Sequence, residues 1–164
     1  MPIFDRRYGN SYQFDYAGNG GVSRTEPAAR SYGNGRDGAV VRRPNPANTN
    51  RSAVVRFANI TDGSATTLLV GEKYVRPDRL GLNQPDEDQG WVSGWDWDTI
   101  RWGFNPPLVA RRGVWAPDRF GSYHPAGMNG LLCDASVHFF PNNTDPIVFR
   151  AICTRYGGET VELP

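Results

Sequence analysis

Phe120-Gly-Ser-Tyr-His124, nine intervening residues, Asp134-Ala-Ser-Val-His138, and then Phe149-Arg-Ala-Ile-Cys-Thr-Arg-Tyr-Gly-Gly-Glu159 form the stretch that decides the fold. Met128 to Cys133 and Val137 to Phe140 read as two short apolar strands. Between them lies Asp134-Ala135, where a hairpin turn favours Asp-Gly. Pro141-Asn-Asn-Thr144 reads as a turn, and Thr144 or Asp145 can N-cap a helix that has Pro146 at its first position. Ile147, Phe149, Ala151 and Ile152 are that helix's apolar residues, and Gly157-Gly158 supplies the stop. The segment is a hairpin followed by one short helix.

Working outward, the whole sequence of 164 residues suits one domain with one core. A formal net charge of +1 gives no global field favouring nucleic acid or a membrane surface. The basic residues are lopsided, with seventeen arginines against a single lysine, Lys73. Arginine suits fixed bidentate and stacked contacts that lysine cannot make, and a GC-rich coding sequence would give the same bias. Gly (19) and Pro (13) are numerous while the apolar fraction is only 38%, which implies many turns around a small core. Aromatic residues at 12% argue against a disordered chain. No apolar run approaches the length needed to span a bilayer, and no signal peptide is read at Met1. Cys133 and Cys153 allow one intramolecular disulfide or two buried thiols.

Residues 1–50 read as loop with short strands, including Ala39-Val-Val-Arg42. Val54-Val-Arg-Phe-Ala58 is strand-like, Asp62-Gly63 marks a turn, and Thr67-Leu-Leu-Val-Gly-Glu72 is the best candidate for a central strand covered on both faces. Residues 77–90 read as an exposed acidic loop within a Trp-rich insertion over 77–119. Residues 120–159 are the hairpin and helix. The expected class is α+β, predominantly antiparallel β with long loops and one short C-terminal helix.

Several residue groups carry candidate chemistry. His124 and Asp134 could form a couple that binds metal or orients a partner group. The alternative is a loop His bonded to backbone and a turn Asp making its own backbone bonds. No nucleophile or third ligand stands at a recognisable spacing, which favours the structural alternative, and a hydrolase using the pair is the distant one. His138 reads as a surface or edge residue. Asp86, Asp88, Asp96 and Asp98 offer hard oxygen ligands suited to calcium, although no EF-hand spacing is present. Trp91, Trp95, Trp97 and Trp102 could plug a core, form a subunit interface or stack on a sugar. Glu72 is a lone carboxylate at the end of an apolar strand, expected to pair with an arginine. Signatures of hydrolases, metalloproteases, P-loop and dinucleotide-binding enzymes are missing, so no enzymatic activity is expected.

The chain resembles the C-terminal part of a planctomycete-type family of prepilin-like proteins, a domain of unknown function with an H-X9-DG motif. Tyr16-Ala-Gly-Asn-Gly-Gly21 resembles its NYAGNGG-type turn, with Asp15 in place of the first Asn. Ile60-Thr-Asp-Gly-Ser-Ala-Thr-Thr-Leu-Leu-Val-Gly-Glu-Lys73 resembles its ITDGTSNTLLVGEK block. Phe120 to Phe140 resembles its H-X9-DG block, with Ala135 in place of the Gly. Phe149 to Glu159 resembles its LRALATRxGGE ending. The motif positions carried over are His124, Asp134, Asp62, Gly63, Glu72, Arg150, Arg155, Gly157 and Gly158.

The resemblance implies a pseudopilin-like globular domain. It implies a non-catalytic assembly module at the cell envelope or outside the cell, with other protein subunits or further copies of itself as partners. Family members begin with a cleavage site, a long hydrophobic helix and an N-terminal half-domain, none of which is read in these residues. Membrane attachment is therefore expected only through a missing N-terminal segment or a partner. No cofactor is expected apart from the calcium candidate. A secreted carbohydrate-binding module built on the tryptophans is the alternative.

Overall fold

The computed structural model describes residues 3–5, 9–11, 15–22, 36–42, 54–80, 82, 84–88, 90 and 94–164. Its strands are β1 (Ile3–Asp5), β2 (Gly9–Ser11), β3 (Tyr16–Asn19), β4 (Leu68–Glu72), β5 (Ile100–Arg101), β6 (Leu108–Val109), β7 (Gly121–Ser122), β8 (Gly127–Leu132) and β9 (Val137–Pro141). Among the described residues one α-helix, α1 (Pro146–Cys153), follows. The central sheet has the order β5-β3-β4-β8-β9, antiparallel except for β3 with β5, and β1-β2 and β6-β7 form separate pairs. The protein is therefore an α+β fold dominated by antiparallel strands.

The expected central strand is β4, flanked by β3 and β8. Leu68 and Gly71 are buried, while Leu69, Val70 and Glu72 are half-buried, so β4 is covered fully on one face only. A register shift between Leu68 and Val70 turns both Leu68 and Gly71 inward despite their odd spacing. Gly71 is needed there, because a Cβ would lie 2.9 Å from the Phe120 ring. Along β8, Met128, Gly130 and Leu132 are buried and Asn129 and Leu131 are half-buried, the period of a strand with one covered face.

Beneath that face, Leu68, Phe120, Met128, Leu132, Phe140, Phe149, Ile152 and Cys153 form the main core. Phe149 delivers α1 to it, meeting Phe120 and Phe140 edge-on with centroids 6.2 Å away in each case. Asp145 caps α1, its carboxylate accepting from Ile147 N at 2.7 Å and Val148 N at 3.3 Å, with Pro146 in the first turn as the sequence implies. A smaller core holds Trp97, Ile100, Trp102 and Phe104. Asn19 is fully buried between the layers. Its amide donates to Leu68 O at 2.7 Å and Cys153 O at 3.0 Å, tying β3 to β4 and to the end of α1.

Several local expectations are corrected. Residues 54–58 form no strand: Phe57–Asn59 is a single 3-10 turn, with Arg56 N bonded to Asn59 Oδ1 and Phe57 exposed, so nothing supplies a pairing strand. Residues 39–42 are also irregular, although Val40 N donates to Asn19 O. α1 ends at Cys153 rather than at Gly157-Gly158. Cys133 and Cys153 are both buried free thiols, and burial raises the Cys133 thiol to about 11.

The β8–β9 turn explains the Asp-Ala substitution. Ala135 N donates to Leu132 O and Leu132 N donates to Ser136 O on the return strand, enclosing a three-residue loop with Ala135 at φ 71°. This is the left-handed bulge position that such loops give to glycine. An exposed alanine there carries a steric cost of about 1–2 kcal/mol. Glycine's backbone entropy cost of about 0.5–1 kcal/mol offsets part of it. Ala135→Gly is expected to stabilise by about 0.5–1 kcal/mol, raising Tm by about 2–3 °C in a calorimetric scan. A lower Tm would contradict a strained turn.

Candidate functional site

The motif residues separate into structural joints and one surface cluster. Asp134 accepts from Ser136 N at 2.9 Å and Ser136 Oγ at 2.7 Å, which closes the hairpin turn. Those bonds, through the Ser136 hydroxyl first, hold its carboxyl below the usual range. Asp62 accepts from Gly157 N at 2.7 Å and Gly158 N at 2.9 Å, so the two glycines dock the tail onto the Asp62-Gly63 turn. Arg155 donates to Gly38 O at 2.6 Å, and Gly63 takes φ 101°. Arg150 is exposed on α1.

The surface cluster brings His124 to Glu72 instead of to Asp134. Ser122 Oγ donates to Gly127 O at 2.6 Å and accepts from His124 N at 2.9 Å, folding the loop between β7 and β8 back on itself. His124 Nε2 then lies 3.2 Å from Glu72 Oε1. The other oxygen, Glu72 Oε2, accepts from Asn129 N at 2.6 Å. The arginine partner expected for Glu72 is thus replaced by an imidazole and a backbone amide. Glu72 is 13% exposed at its side chain and His124 55%, so the dyad presents an oriented imidazole at the surface. It can exchange a proton or donate a hydrogen bond.

Residues 86–88 of the acidic loop are buried instead of exposed, while Leu80 and Leu82 earlier in it are exposed. Asp86, Glu87, Asp88 and Asp98 are all buried, and so are Lys73 and Arg101. Lys73 Nζ is 2.6 Å from Glu87 Oε2 and donates to Asp98 O at 2.8 Å. Arg101 Nη2 is 3.4 Å from Asp86 Oδ2, and Trp115 Nε1 donates to Asp86 Oδ1 at 3.3 Å. Gly90 N donates to Asp98 Oδ1 at 3.0 Å. The loop folds inward because the chain's one lysine and a wholly buried arginine meet it there, and buried carboxylates require such partners. Asp96 serves its own turn, accepting from Trp97 N at 2.5 Å. Of the residues expected to bind calcium, Asp86 thus faces Arg101. Among the described residues no three His, Cys, Asp or Glu converge on a metal position.

Burial pushes the Glu87 carboxyl up to about 7, more than Lys73 pulls it down. Burial, with help from Arg101, pulls the Lys73 ammonium down. A carboxyl raised in the folded state takes up its proton before the unfolded chain does. Stability is therefore gained as pH falls from about 7 towards the ordinary value of 4.5. The full effect is about 3 kcal/mol. Tm is expected to be higher at pH 5.5 than at pH 8, with Glu87→Gln flattening the difference. A Tm falling on acidification in that window would exclude this assignment.

The tryptophans do not form one platform. Trp102 is fully buried, stacked on Phe104 and met edge-on by Trp95. Trp97 is 9% exposed and Trp115 51%, in edge contact with each other. Trp91 lies outside the described residues. Among the described tryptophans Trp95 alone lines an open cleft of about 520 Å³, with Arg42, Val40, Thr99 and the backbone of Gly18 and Gly94. Neither the Glu72–His124 pairing nor the buried ion cluster is announced by local sequence, since each joins residues far apart along the chain. The one available signal was that a chain so rich in arginine keeps a lysine at position 73.

A family model described as "Protein of unknown function (DUF1559)" matches residues 3–147. No curated protein and no solved structure matches.

Proposed function

Since this chain belongs to the DUF1559 family of planctomycete prepilin-like domains, we propose that it is a non-catalytic assembly module of a cell-envelope or extracellular protein. It acts through protein–protein contacts in a secretion-type or filamentous assembly. The observation that carries this reading is an apolar strip on the outward face of the central sheet. Val70, Leu131 and Val137 align across β4, β8 and β9, with Phe139 opposite Asn129 in the next outward row. Val137 is 66% exposed and Phe139 43%. Apolar side chains gathered on one face favour a macromolecular partner.

Light scattering and electron microscopy of the full chain test it. Concentration-dependent association, weakened by Val137→Asp with Phe139→Asp, is expected. A dispersed monomer at every concentration would remove the self-assembly part of the reading.

A second reading rests on the Trp95 cleft, where a half-buried indole and the Arg42 guanidinium could hold a sugar ring. A glycan array distinguishes it: saturable sugar binding abolished by Trp95→Ala would favour a carbohydrate-binding module.

A further inference from the structure

Building on the reading that this domain works through protein contacts, we infer that the partner at β9 is a second copy of the chain. The copies pair antiparallel across a two-fold axis and join their central sheets edge to edge. β9 is the last strand of its sheet, and no described residue pairs with its outer side. Its sequence, Val137-His-Phe-Phe-Pro141, carries only one of the usual edge guards, the terminal proline. There is no Lys, Arg, Asp or Glu, no bulge within the strand, and proline only as the last residue.

The hydrogen-bond alternation states what that edge offers. Leu132 N donates to Ser136 O and Asn142 N to Ala126 O, both at 2.9 Å. These bonds bracket the ladder in which Gly130 faces His138 and Met128 faces Phe140. Bonded and non-bonded pairs alternate along an antiparallel ladder, so His138 and Phe140 direct their amide groups to β8. Val137 and Phe139 direct theirs to the open edge.

That pattern of partial charges complements itself in one antiparallel register. With Val137 opposite Phe139 of the second copy, each of these residues both donates and accepts a bond. A slip of two residues one way sets Pro141, which has no N–H, opposite Val137. A slip the other way sets Ala135, in its left-handed bulge, opposite Phe139. In the favoured register the exposed side chains also match, because Val137 of each copy lies against Phe139 of the other. Such aromatic and β-branched cross-strand pairs are favourable. His138 falls on the two-fold axis as a non-bonded pair, with Cα atoms about 4.5 Å apart. That spacing lies within disulfide reach.

The register makes the test specific. Full-length His138→Cys, oxidised in air, is expected to give a reducible covalent dimer, while the parent with its buried Cys133 and Cys153 gives none. Val137→Lys, a change at an exposed position, is expected to abolish the association seen by light scattering while leaving the thermal melt intact. Association that persists in Val137→Lys, with no cross-link through Cys at 138, overturns the β9 pairing and leaves assembly through another surface standing. A chain that never associates and never cross-links overturns the pairing and self-assembly together.

Discussion

Arg101→Met is expected to destabilise the protein by about 3–5 kcal/mol, because it leaves carboxylates buried without their counter-charge. Arg101 is fully buried on β5, with Asp86 at 3.4 Å and its guanidinium donating to Tyr74 O at 3.3 Å. Burial lowers its own affinity for a proton, and Asp86 is the first group opposing that shift. Methionine fills much of the same space but answers none of that charge. Urea unfolding checks the expectation: the midpoint falls while the slope holds. Adding Asp86→Asn should recover part of the loss, since paired sites are not additive. A cost below about 1 kcal/mol in the single variant would mean that the loop carboxyls are solvated and the ion cluster is not closed.

Phe149→Ala should cost about as much, about 3–5 kcal/mol, for a different reason. Phe149 is fully buried and touches the rings of Phe120 and Phe140, so it is the apolar bridge between α1 and the sheet. Its removal opens a cavity that two rings on separate strands cannot easily fill. Ile147 provides the contrast two residues earlier. It is 76% exposed, and Ile147→Ala should stay within about 0.5 kcal/mol. Equal losses at the two positions would show that α1 packs through a different face.

The parts of the fold that were legible in the sequence share a local cause. The β8–β9 hairpin shows in the alternation around Met128, Leu132 and Phe140 and in the Asp134-Ala135 turn. The α1 start shows in Asp145-Pro146, and β4 in its apolar run. Each signal lies within a few residues of what it specifies. The parts that were not legible depend on distant partners. Residues 54–58 have strand-like composition but no neighbouring strand, so the turn made by Arg56 and Asn59 prevails. A run such as Asp86-Glu-Asp88 is normally solvated, and it is buried here only because Lys73 and Arg101 arrive from two other strand regions. The surface dyad was half visible: His124 and Glu72 each stood out, but their meeting depends on how β4 and β8 pair.

Lys73 gives the ion cluster a practical consequence. It is the only lysine in the chain and is 3% exposed, so the molecule carries a single ε-amine and shields it. A reagent that acylates lysine can therefore modify that side chain only after Glu87 and Asp98 have moved away from it. The rate of labelling at Lys73 becomes a clock for that opening, readable by mass spectrometry on the unaltered protein.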